Sequence, residues 1–231
     1  MYNDIQIQIK AKNNINNREN LNSIVVNYIK EAILAGVYKE GDHILESEVA
    51  IKLGISRAPV REGIRELENE GILTTKPRKG TFVTEFSLED IKEVFDIRLL
   101  LENNINKILI YEDKLTENDF NHLENLVNEM VEIAGTSSLD YKRKSMLINI
   151  KDMDFHRFIW QKSGSQRRVK MLESIFFQLR IAMLYDMYET GNFMQSATDH
   201  FDIIDALRSK DIDRCKIALR EHIVSYKEGK F

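Results

Sequence analysis

The stretch ISRAPVREGIREL, residues 55–67, decides how the first third of the chain folds. It opens with Ser56, a residue type that caps helix N-termini, and its proline falls in the first turn, where a helix tolerates one. Three apolar residues then recur at helical spacing and form one face: Val60, Ile64 and Leu67. The stretch therefore predicts a helix that begins after Ser56 and packs this face against other elements.

A row of arginines runs beside that face, because Arg57, Arg61 and Arg65 are spaced four residues apart. A solvated helix face usually mixes its charges, and pairing with Glu62 would account for Arg65 in this ordinary way. Arg57 and Arg61 have no acidic residue four positions away. Both lie in the N-terminal half, where a recognition helix meets base edges and the helix dipole favours phosphate. The row therefore favours binding to DNA.

The flanking sequence predicts the rest of a small domain. An apolar stripe over residues 21–33 predicts a helix that stops at Gly36, and residues 44–54 predict a short second helix that ends at Gly54. Residues 72–86 alternate in hydrophobicity and predict a two-stranded hairpin. Three helices followed by a hairpin is the order of a winged helix-turn-helix domain, in which the arginine-bearing helix is the recognition helix.

The predicted hairpin turn adds a second basic feature. Lys76, Arg78 and Lys79 surround Gly80 at the place where a winged helix has its wing tip. Such cations suit contact with phosphate or with the minor groove. The turn thus supports the same function as the arginine row.

Composition limits the class of protein. At 231 residues, with 43% hydrophobic and 30% charged residues, the chain is long enough for two packed domains. Its formal net charge is −4, so any nucleic-acid surface must be local. Cys215 is the only cysteine, which excludes an internal disulfide and suits a reducing compartment. Neither a signal peptide nor a membrane-spanning apolar run is present, so we expect a cytoplasmic protein without membrane association.

Glycine and proline divide the chain. Six of the ten glycines and both prolines fall between residues 36 and 80, and the sequence beyond them has long segments of helical periodicity. The asparagine-rich N-terminus predicts a flexible tail over residues 1–18. We therefore expect a mainly α-helical protein, with an N-terminal winged helix-turn-helix domain at residues 19–84 and a C-terminal all-α helical bundle at residues 85–231.

The predicted bundle buries a cluster of polar side chains. Asp152 and His156 are four residues apart on one helix face, and His200 and His222 sit within the apolar stripes of two further helices. A single histidine on an apolar face is usually a hydrogen-bonded core residue. Three on separate helices, joined by an aspartate, favour a shared divalent cation because isolated burial of each would cost free energy. Zinc and nickel suit these ligands.

Arg98 and Glu102 lie four residues apart in the middle of another apolar stripe. One interpretation is a buried ion pair with a structural role. The other is a guanidinium that Glu102 holds ready for the carboxylate of a ligand. The two interpretations are compatible, and both stay open at the level of the sequence.

The segment ILAGVYKEGDHILESEVAIKLGISRAPVREGIRELENEGILTTKPRKGTFV, residues 33–83, resembles the DNA-binding domain of the GntR family of bacterial transcription regulators. The resemblance depends most on SRAPVRE and on KGTFV. It implies that Ser56, Arg57 and Arg61 contact double-stranded DNA from the recognition helix and that Gly80 forms the wing tip.

Two further residues complete the candidate DNA-binding set. Arg65 continues the arginine row, and Lys79 precedes the glycine of the wing. Gly63 stands where the family commonly has alanine. A glycine in mid-helix is expected to weaken the helix by about 1 kcal/mol relative to alanine.

Three later segments, within residues 87–226, resemble the FCD effector domain of the FadR subfamily: EVFDIRLLLE, DMDFHRFI and ATDHFDIIDALRSKDIDRCKIALREHI. In metal-binding members an aspartate and three histidines hold the ion, and they map onto Asp152, His156, His200 and His222. The resemblance further implies a bundle of six or seven helices, a homodimer and a small organic acid that completes the metal coordination. Arg98 is the candidate ligand-binding residue. Members that bind acyl-CoA lack this histidine set, so an acyl-CoA effector is not expected.

These patterns predict a ligand-responsive, DNA-binding transcription regulator, a repressor in the commoner case, whose dimer reads a palindromic operator. We do not expect an enzyme, because Asp154 faces away from the histidines and no other acid or nucleophile accompanies them. A metalloenzyme fused to a DNA-binding domain is the weaker alternative. The stronger alternative is a regulator whose metal is purely structural or is itself the signal.

Overall fold

The computed structural model describes residues 2–16, 20–190 and 192–228, and the chain divides into two compact units, residues 1–87 and 88–231. The first unit contains α1 (Tyr2–Asn16), α2 (Leu21–Leu34), β1 (His43–Ile44), α3 (Glu46–Leu53), α4 (Arg57–Asn69), β2 (Leu73–Lys76) and β3 (Gly80–Val83). The second contains α5 (Leu88–Tyr111), α6 (Glu117–Gly135), α7 (Tyr141–Lys162), α8 (Gln166–Thr190), α9 (Phe193–Arg208) and α10 (Ile212–Glu228). The predicted fold class, mainly α with a winged helix-turn-helix unit followed by an all-helical one, is confirmed.

Helix α4 is the helix that residues 55–67 predict, and it begins at the predicted place. Ser56 is its N-cap residue in extended conformation, although its side chain makes no capping hydrogen bond. The predicted apolar face is buried: Val60, Ile64 and Leu67. Helix α4 packs on α2, and the arginine row beside the buried face remains exposed to solvent.

Gly63 sets how closely α2 and α4 approach each other. A Cβ atom at this position would lie 2.7 Å from Cγ1 of Val25 and 3.2 Å from the carbonyl oxygen of Asn22. The packing of α2 on α4 therefore favours glycine here. The expectation that Gly63 only weakens the helix overlooked this contact, because propensity describes an isolated helix and not its neighbours.

The first unit has a three-stranded antiparallel sheet in the order β1-β3-β2. Strands β2 and β3 form the predicted hairpin, in which Lys76 pairs with Gly80. Strand β1 was not predicted from the sequence. His43 pairs with Phe82 of β3, and the two rings stack with centroids 4.8 Å apart. A strand of two residues is too short to show alternation.

The N-terminal segment differs from the expected flexible tail over residues 1–18 where the structure describes it, and residues 1, 17 and 18 lie outside the described residues. Residues 2–16 form α1, which packs on α2 and α3. Oδ1 of Asp4 accepts a hydrogen bond from the hydroxyl of Tyr28 at 3.2 Å, and Oδ2 accepts one from Nζ of Lys52 at 3.3 Å. Contacts with later elements thus order a polar segment whose composition alone indicates disorder.

Helices α5 to α10 enclose one apolar core, and its large, fully buried side chains include Trp160, Phe155, Ile105 and Leu123. Helix α6 packs on α7 and α9, while α10 packs on α5 and α9. Cys215 lies in this core, and burial raises the pKa of its thiol to about 11, so it acts as a packing residue. None of the described helices is long and apolar enough to cross a membrane.

Candidate functional site

Four polar residues of the second unit converge in its core. Asp152 and His156 come from α7, His200 from α9 and His222 from α10. One ligand atom from each lies within 4.8 Å of the others, and none of the four residues is more than 1% exposed. The structure therefore brings together all the residues that the sequence suggests as metal ligands.

Hydrogen bonds orient two of the imidazole rings. Nδ1 of His200 donates to the carbonyl oxygen of Ser196 at 2.9 Å, since a carbonyl oxygen can only accept. Nδ1 of His156 likewise donates to the carboxylate Oε2 of Glu102 at 2.9 Å. In both rings the proton is held on Nδ1, so Nε2 presents its lone pair to the cluster.

The atoms in the centre of the cluster are in conflict. Nε2 of His200 lies 3.0 Å from Oδ1 of Asp152, yet neither this nitrogen nor either oxygen of Asp152 makes an aligned hydrogen bond within the described part of the chain. Nε2 of His156 and Nε2 of His222 lie 3.1 Å apart and share a hydrogen bond when His222 carries its proton on Nε2. The buried lone pairs of His200 and Asp152 that face one another cost free energy, and a cation between them would remove that cost. Three imidazole nitrogens and a carboxylate fit a zinc or nickel ion.

Burial sets the charges of the cluster. It lowers the pKa of His156, and, together with the nearby imidazoles of His200 and His156, it lowers the pKa of His222 well below its usual range. Both imidazoles are therefore neutral near pH 7, which is the form that binds a metal. Burial alone would raise the pKa of Asp152, but its close approach to His200 outweighs burial and lowers that pKa. Asp152 is therefore ionised.

Glu102 links the cluster to Arg98 on the same helix, α5. Its Oε1 accepts a hydrogen bond from Nε of Arg98 at 2.6 Å, which confirms the predicted buried pair. Its Oε2 faces His156, a second role that the sequence analysis missed. The sequence indicated this second contact only weakly. A buried carboxylate in an apolar stripe needs more partners than a single arginine, but the sequence does not say which residue the second partner is. Whether Arg98 also binds a ligand stays a prediction.

Two other buried polar groups beside the cluster were not singled out from the sequence. Asn149 lies one turn before Asp152 on α7, and its Oδ1 accepts a hydrogen bond from Nε of Arg180 on α8 at 2.9 Å. Nε1 of Trp160, one turn after His156, has no hydrogen-bond partner among the residues that the structure describes. Asn149 is three residues from Asp152, and Trp160 is four residues from His156, so all four lie on one face of α7. This spacing is the feature of the sequence that could have identified Asn149 and Trp160 as neighbours of the cluster.

Two other polar residues lie outside the cluster. Asp154 pairs with Arg157 at 3.6 Å and is partly exposed, in keeping with its predicted place on the opposite face of α7. The exposed ring of His122 packs on Phe158 with centroids 4.5 Å apart. Neither residue contributes to the convergent group.

The candidate nucleic-acid interface consists of α4 and the turn between β2 and β3. Its exposed members are Ser56, Arg57, Arg61, Arg65 and Lys79. Gly80 has a positive φ of 107°, and a Cβ atom there would lie 2.2 Å from Nε2 of His43. The tight turn therefore requires glycine and presents the basic residues of the wing to solvent.

Two of the arginines on α4 are paired with carboxylates. Nη1 of Arg65 donates to Oε1 of Glu62 at 3.2 Å, the ordinary pairing that the spacing suggests. Arg61 donates from Nε to Oε1 of Glu46 at 3.1 Å and from Nη2 to Oε2 at 3.0 Å. Glu46 belongs to α3, so spacing along α4 alone does not reveal it.

Comparison with known proteins identifies both units. Residues 21–83 match the gntR family of bacterial regulatory proteins, and residues 93–225 match the FCD domain. The chain belongs to the GntR family. It is a DNA-binding transcription regulator with an FCD effector domain, and the proteins it matches are regulators and not enzymes.

Relatives of this GntR-family regulator cover most of its length. The HTH-type transcriptional regulator YdhC of Bacillus subtilis is 24% identical over 200 residues, which cover 87% of this chain and 84% of YdhC. The Uxu operon regulator of Haemophilus influenzae is 26% identical, with 94% of this chain and 88% of the relative covered. The solved structure of McbR/YncC of Escherichia coli shares the fold, with a TM-score of 0.73 at 23% identity over 89% of this chain and 94% of McbR. Helix α1 precedes both matched ranges.

Proposed function

We propose that this GntR-family regulator responds to a small organic acid through a divalent transition metal held by Asp152, His156, His200 and His222. The observation that carries the proposal is the buried approach of Oδ1 of Asp152 to Nε2 of His200, 3.0 Å apart without a hydrogen bond, which a cation would relieve. Zinc and nickel are the ions that suit this donor set. When bound, the metal would supply an electrophile for the carboxylate of the acid.

Arg98 is the residue that we assign to the effector carboxylate. Its Nε is held by Glu102 at 2.6 Å, which fixes the plane of the guanidinium. The positive charge of Arg98 acts on the cluster. Burial lowers the pKa of His156, the charge of Glu102 raises it, and the charge of Arg98 lowers it again. A carboxylate beside the metal would gain charge-assisted hydrogen bonds from this cation. The metal and Arg98 would thus share one acid.

On the DNA side, we propose that a homodimer presents two copies of α4 to the half-sites of a palindromic operator in the bacterial cytoplasm. Arg57 and Arg61 are assigned to base edges. The other assigned residues contact the sugar-phosphate backbone: Ser56, Arg65, Lys79 and Gly80. The protein acts as a repressor, and binding of the acid favours an arrangement with lower affinity for the operator.

A regulator with a purely structural or directly sensed metal is the second candidate. Burial favours it, because Arg98 is 0% exposed and an organic acid would have to enter a closed core. In that case the metal alone, without any acid, would change the stability of the FCD unit or its affinity for operator DNA.

The deciding experiment measures the melting temperature of zinc-loaded protein against a panel of small carboxylic acids, with and without chelator. One acid should raise the melting temperature in a concentration-dependent way, and chelator should abolish the shift. Asp152→Asn should lose the shift. Asp154→Asn makes the same chemical change on the other face of α7, where Asp154 pairs with Arg157, and should keep it. No shift with any acid in zinc-loaded protein would favour the second candidate.

A further inference from the structure

The ion pair between Glu46 and Arg61 joins the two helices of the helix-turn-helix. Glu46 is the first residue of α3, and Arg61 lies in the second turn of α4. Two parallel hydrogen bonds connect the carboxylate to the guanidinium, from Nε at 3.1 Å and from Nη2 at 3.0 Å. Fork-to-fork geometry of this kind fixes the plane of the guanidinium as well as its position.

The pair holds Arg61 by one edge of its guanidinium. An arginine side chain has five N–H donors, and Glu46 engages one on Nε and one on Nη2. The outer edge carries the second donor of Nη2 and one donor of Nη1. These two donors can make a bidentate contact with O6 and N7 of guanine. The side chain of Arg61 is 54% exposed, so protein does not enclose that edge.

Glu46 also reduces the positive charge of the surface. Hydrogen bonds from Arg61 outweigh burial and, with the charges of Arg61, Arg57 and Arg65, hold the pKa of Glu46 below its usual range. The carboxylate is therefore ionised and close to the whole arginine row. An anion at this place repels the phosphates of every DNA sequence, whereas a guanine contact is gained only where guanine is present.

We propose that Glu46 is a positioning residue that sets the sequence selectivity of Arg61. It orients the guanidinium towards a guanine edge and weakens sequence-independent binding to phosphate. The inference rests on the proposed contact of Arg61 with DNA and deepens it. An ion pair with only a structural role would change the stability of the first unit, but it would leave the ratio of operator to non-operator affinity unchanged.

The test compares Glu46→Gln with Glu62→Gln in the full-length protein. Each change removes one carboxylate beside an arginine of α4, but only the first releases Arg61. Binding is measured by fluorescence anisotropy on the duplex that wild-type protein selects from a random library and on a scrambled duplex of the same composition. Salt is varied from about 50 to about 300 mM, a range over which phosphate contacts weaken strongly.

Glu46→Gln should bind the scrambled duplex about 3- to 10-fold more tightly, because Arg61 gains freedom to contact phosphate. Its salt dependence should steepen by about one unit in the slope of log K against log salt. The ratio of selected to scrambled affinity should fall about tenfold. Glu62→Gln should change both affinities in parallel and keep the ratio. An unchanged ratio in folded Glu46→Gln protein, checked by circular dichroism, would overturn the proposal.

Two further variants separate the roles of Glu46 and keep the test decisive if Glu46→Gln does not fold. Glu46→Asp keeps the charge but is too short to engage both donors, so it should weaken binding to the selected duplex only. In an Arg61→Ala background, Glu46→Gln should not change the ratio further. Unchanged operator affinity of Arg61→Ala would instead overturn the base contact of Arg61. Failure of wild-type protein to select any duplex would overturn the proposed interface itself.

Discussion

Oε2 of Glu102 accepts a hydrogen bond from Nδ1 of His156 at 2.9 Å, and this contact connects the candidate metal centre to the rest of the buried polar network. The other oxygen of Glu102 accepts from Nε of Arg98 at 2.6 Å. Burial would raise the pKa of Glu102, but its contacts with His156 and Arg98 outweigh burial and hold that pKa at about 2. One ionised carboxylate therefore orients an imidazole of the candidate metal centre and a guanidinium at the same time.

Replacing Glu102 by glutamine should weaken zinc binding about 10- to 100-fold. The amide keeps the shape of the side chain, but it no longer fixes the proton of His156 on Nδ1, and it leaves the charge of Arg98 buried without its anion. For the second reason, the free energy of unfolding of the metal-free protein should fall by about 3–5 kcal/mol. Competition with a chromophoric chelator measures the first effect, and urea unfolding followed by the fluorescence of Trp160 measures the second.

Glu112→Gln is the matched control for this change. Glu112 follows α5, pairs with Lys114 at 2.8 Å and has a side chain that is 57% exposed. An exposed pair contributes at most about 1 kcal/mol, so zinc affinity should not change and stability should change little. If Glu102→Gln bound zinc as tightly as the wild type, Glu102 would have no part in orienting the ligand.

Arg57→Ala should weaken binding to the selected operator duplex by about 1–3 kcal/mol if Arg57 reads a guanine. Arg57 is the first residue of α4 and is exposed. Arg65→Ala should cost less, and equally on selected and scrambled duplexes, because Arg65 is paired with Glu62 and assigned to phosphate. Fluorescence anisotropy at one salt concentration compares the two variants. Equal losses of Arg57→Ala on both duplexes would reassign Arg57 to the phosphate backbone.

The winged unit was predictable where its signals are local. Gly54 ends α3, because its φ of 71° suits glycine, and Ser56 is the N-cap residue of α4. Both residues determine the backbone next to them, so the sequence alone shows where these helices end and begin. Strand β1 and helix α1 depend instead on distant partners, since His43 pairs with Phe82 and Asp4 is held by residues of two later helices. Composition and periodicity carry no information about such contacts.

The candidate metal centre was predictable in its members and not in its surroundings. His200 and His222 lie within apolar stripes, so burying those stripes in the common core brings them to Asp152 and His156. The contact of Glu102 with His156 depends on how α5 is rotated relative to α7, which the periodicity of one helix does not fix. The sequence analysis therefore missed the hydrogen bond between Glu102 and His156, which joins two different helices.

Gly63→Ala should destabilise the first unit, although alanine is the better helix former by about 1 kcal/mol. The added Cβ would come within 2.7 Å of Val25, and overpacking of this kind costs about 1–3 kcal/mol, so we expect a net loss of about 1 kcal/mol. Gly135→Ala, at the end of α6 where a Cβ would have no neighbour within 4 Å, is the matched control and should be neutral or stabilising. Far-UV circular dichroism melts measure both. A melting temperature of Gly63→Ala at or above that of the wild type would contradict the close packing of α2 on α4.

Asp119→Asn should weaken the start of α6. Asp119 and Thr116 form a capping box, in which Oγ1 of Thr116 accepts from the N–H of Asp119 at 3.3 Å and Oδ2 of Asp119 accepts from the N–H of Thr116 at 2.9 Å. The other carboxylate oxygen pairs with Lys162 of α7. We expect a loss of about 1 kcal/mol in the free energy of unfolding at pH 7, measured by urea unfolding.

The pH dependence of that loss tests whether the charge of Asp119 is responsible. Burial would raise the pKa of Asp119, but hydrogen bonds from Lys162 and Thr116 outweigh burial and lower it. A depressed pKa contributes stability that is fully present above the unfolded value of about 3.9 and is lost as the pH falls through the lower folded value. The urea midpoints of wild type and Asp119→Asn should therefore differ above about pH 4 and converge below it. Glu117→Gln, whose side chain is 76% exposed in the same turn, should show little difference at any pH. A gap between wild type and Asp119→Asn that stays constant down to acid pH would assign the loss to packing and not to charge.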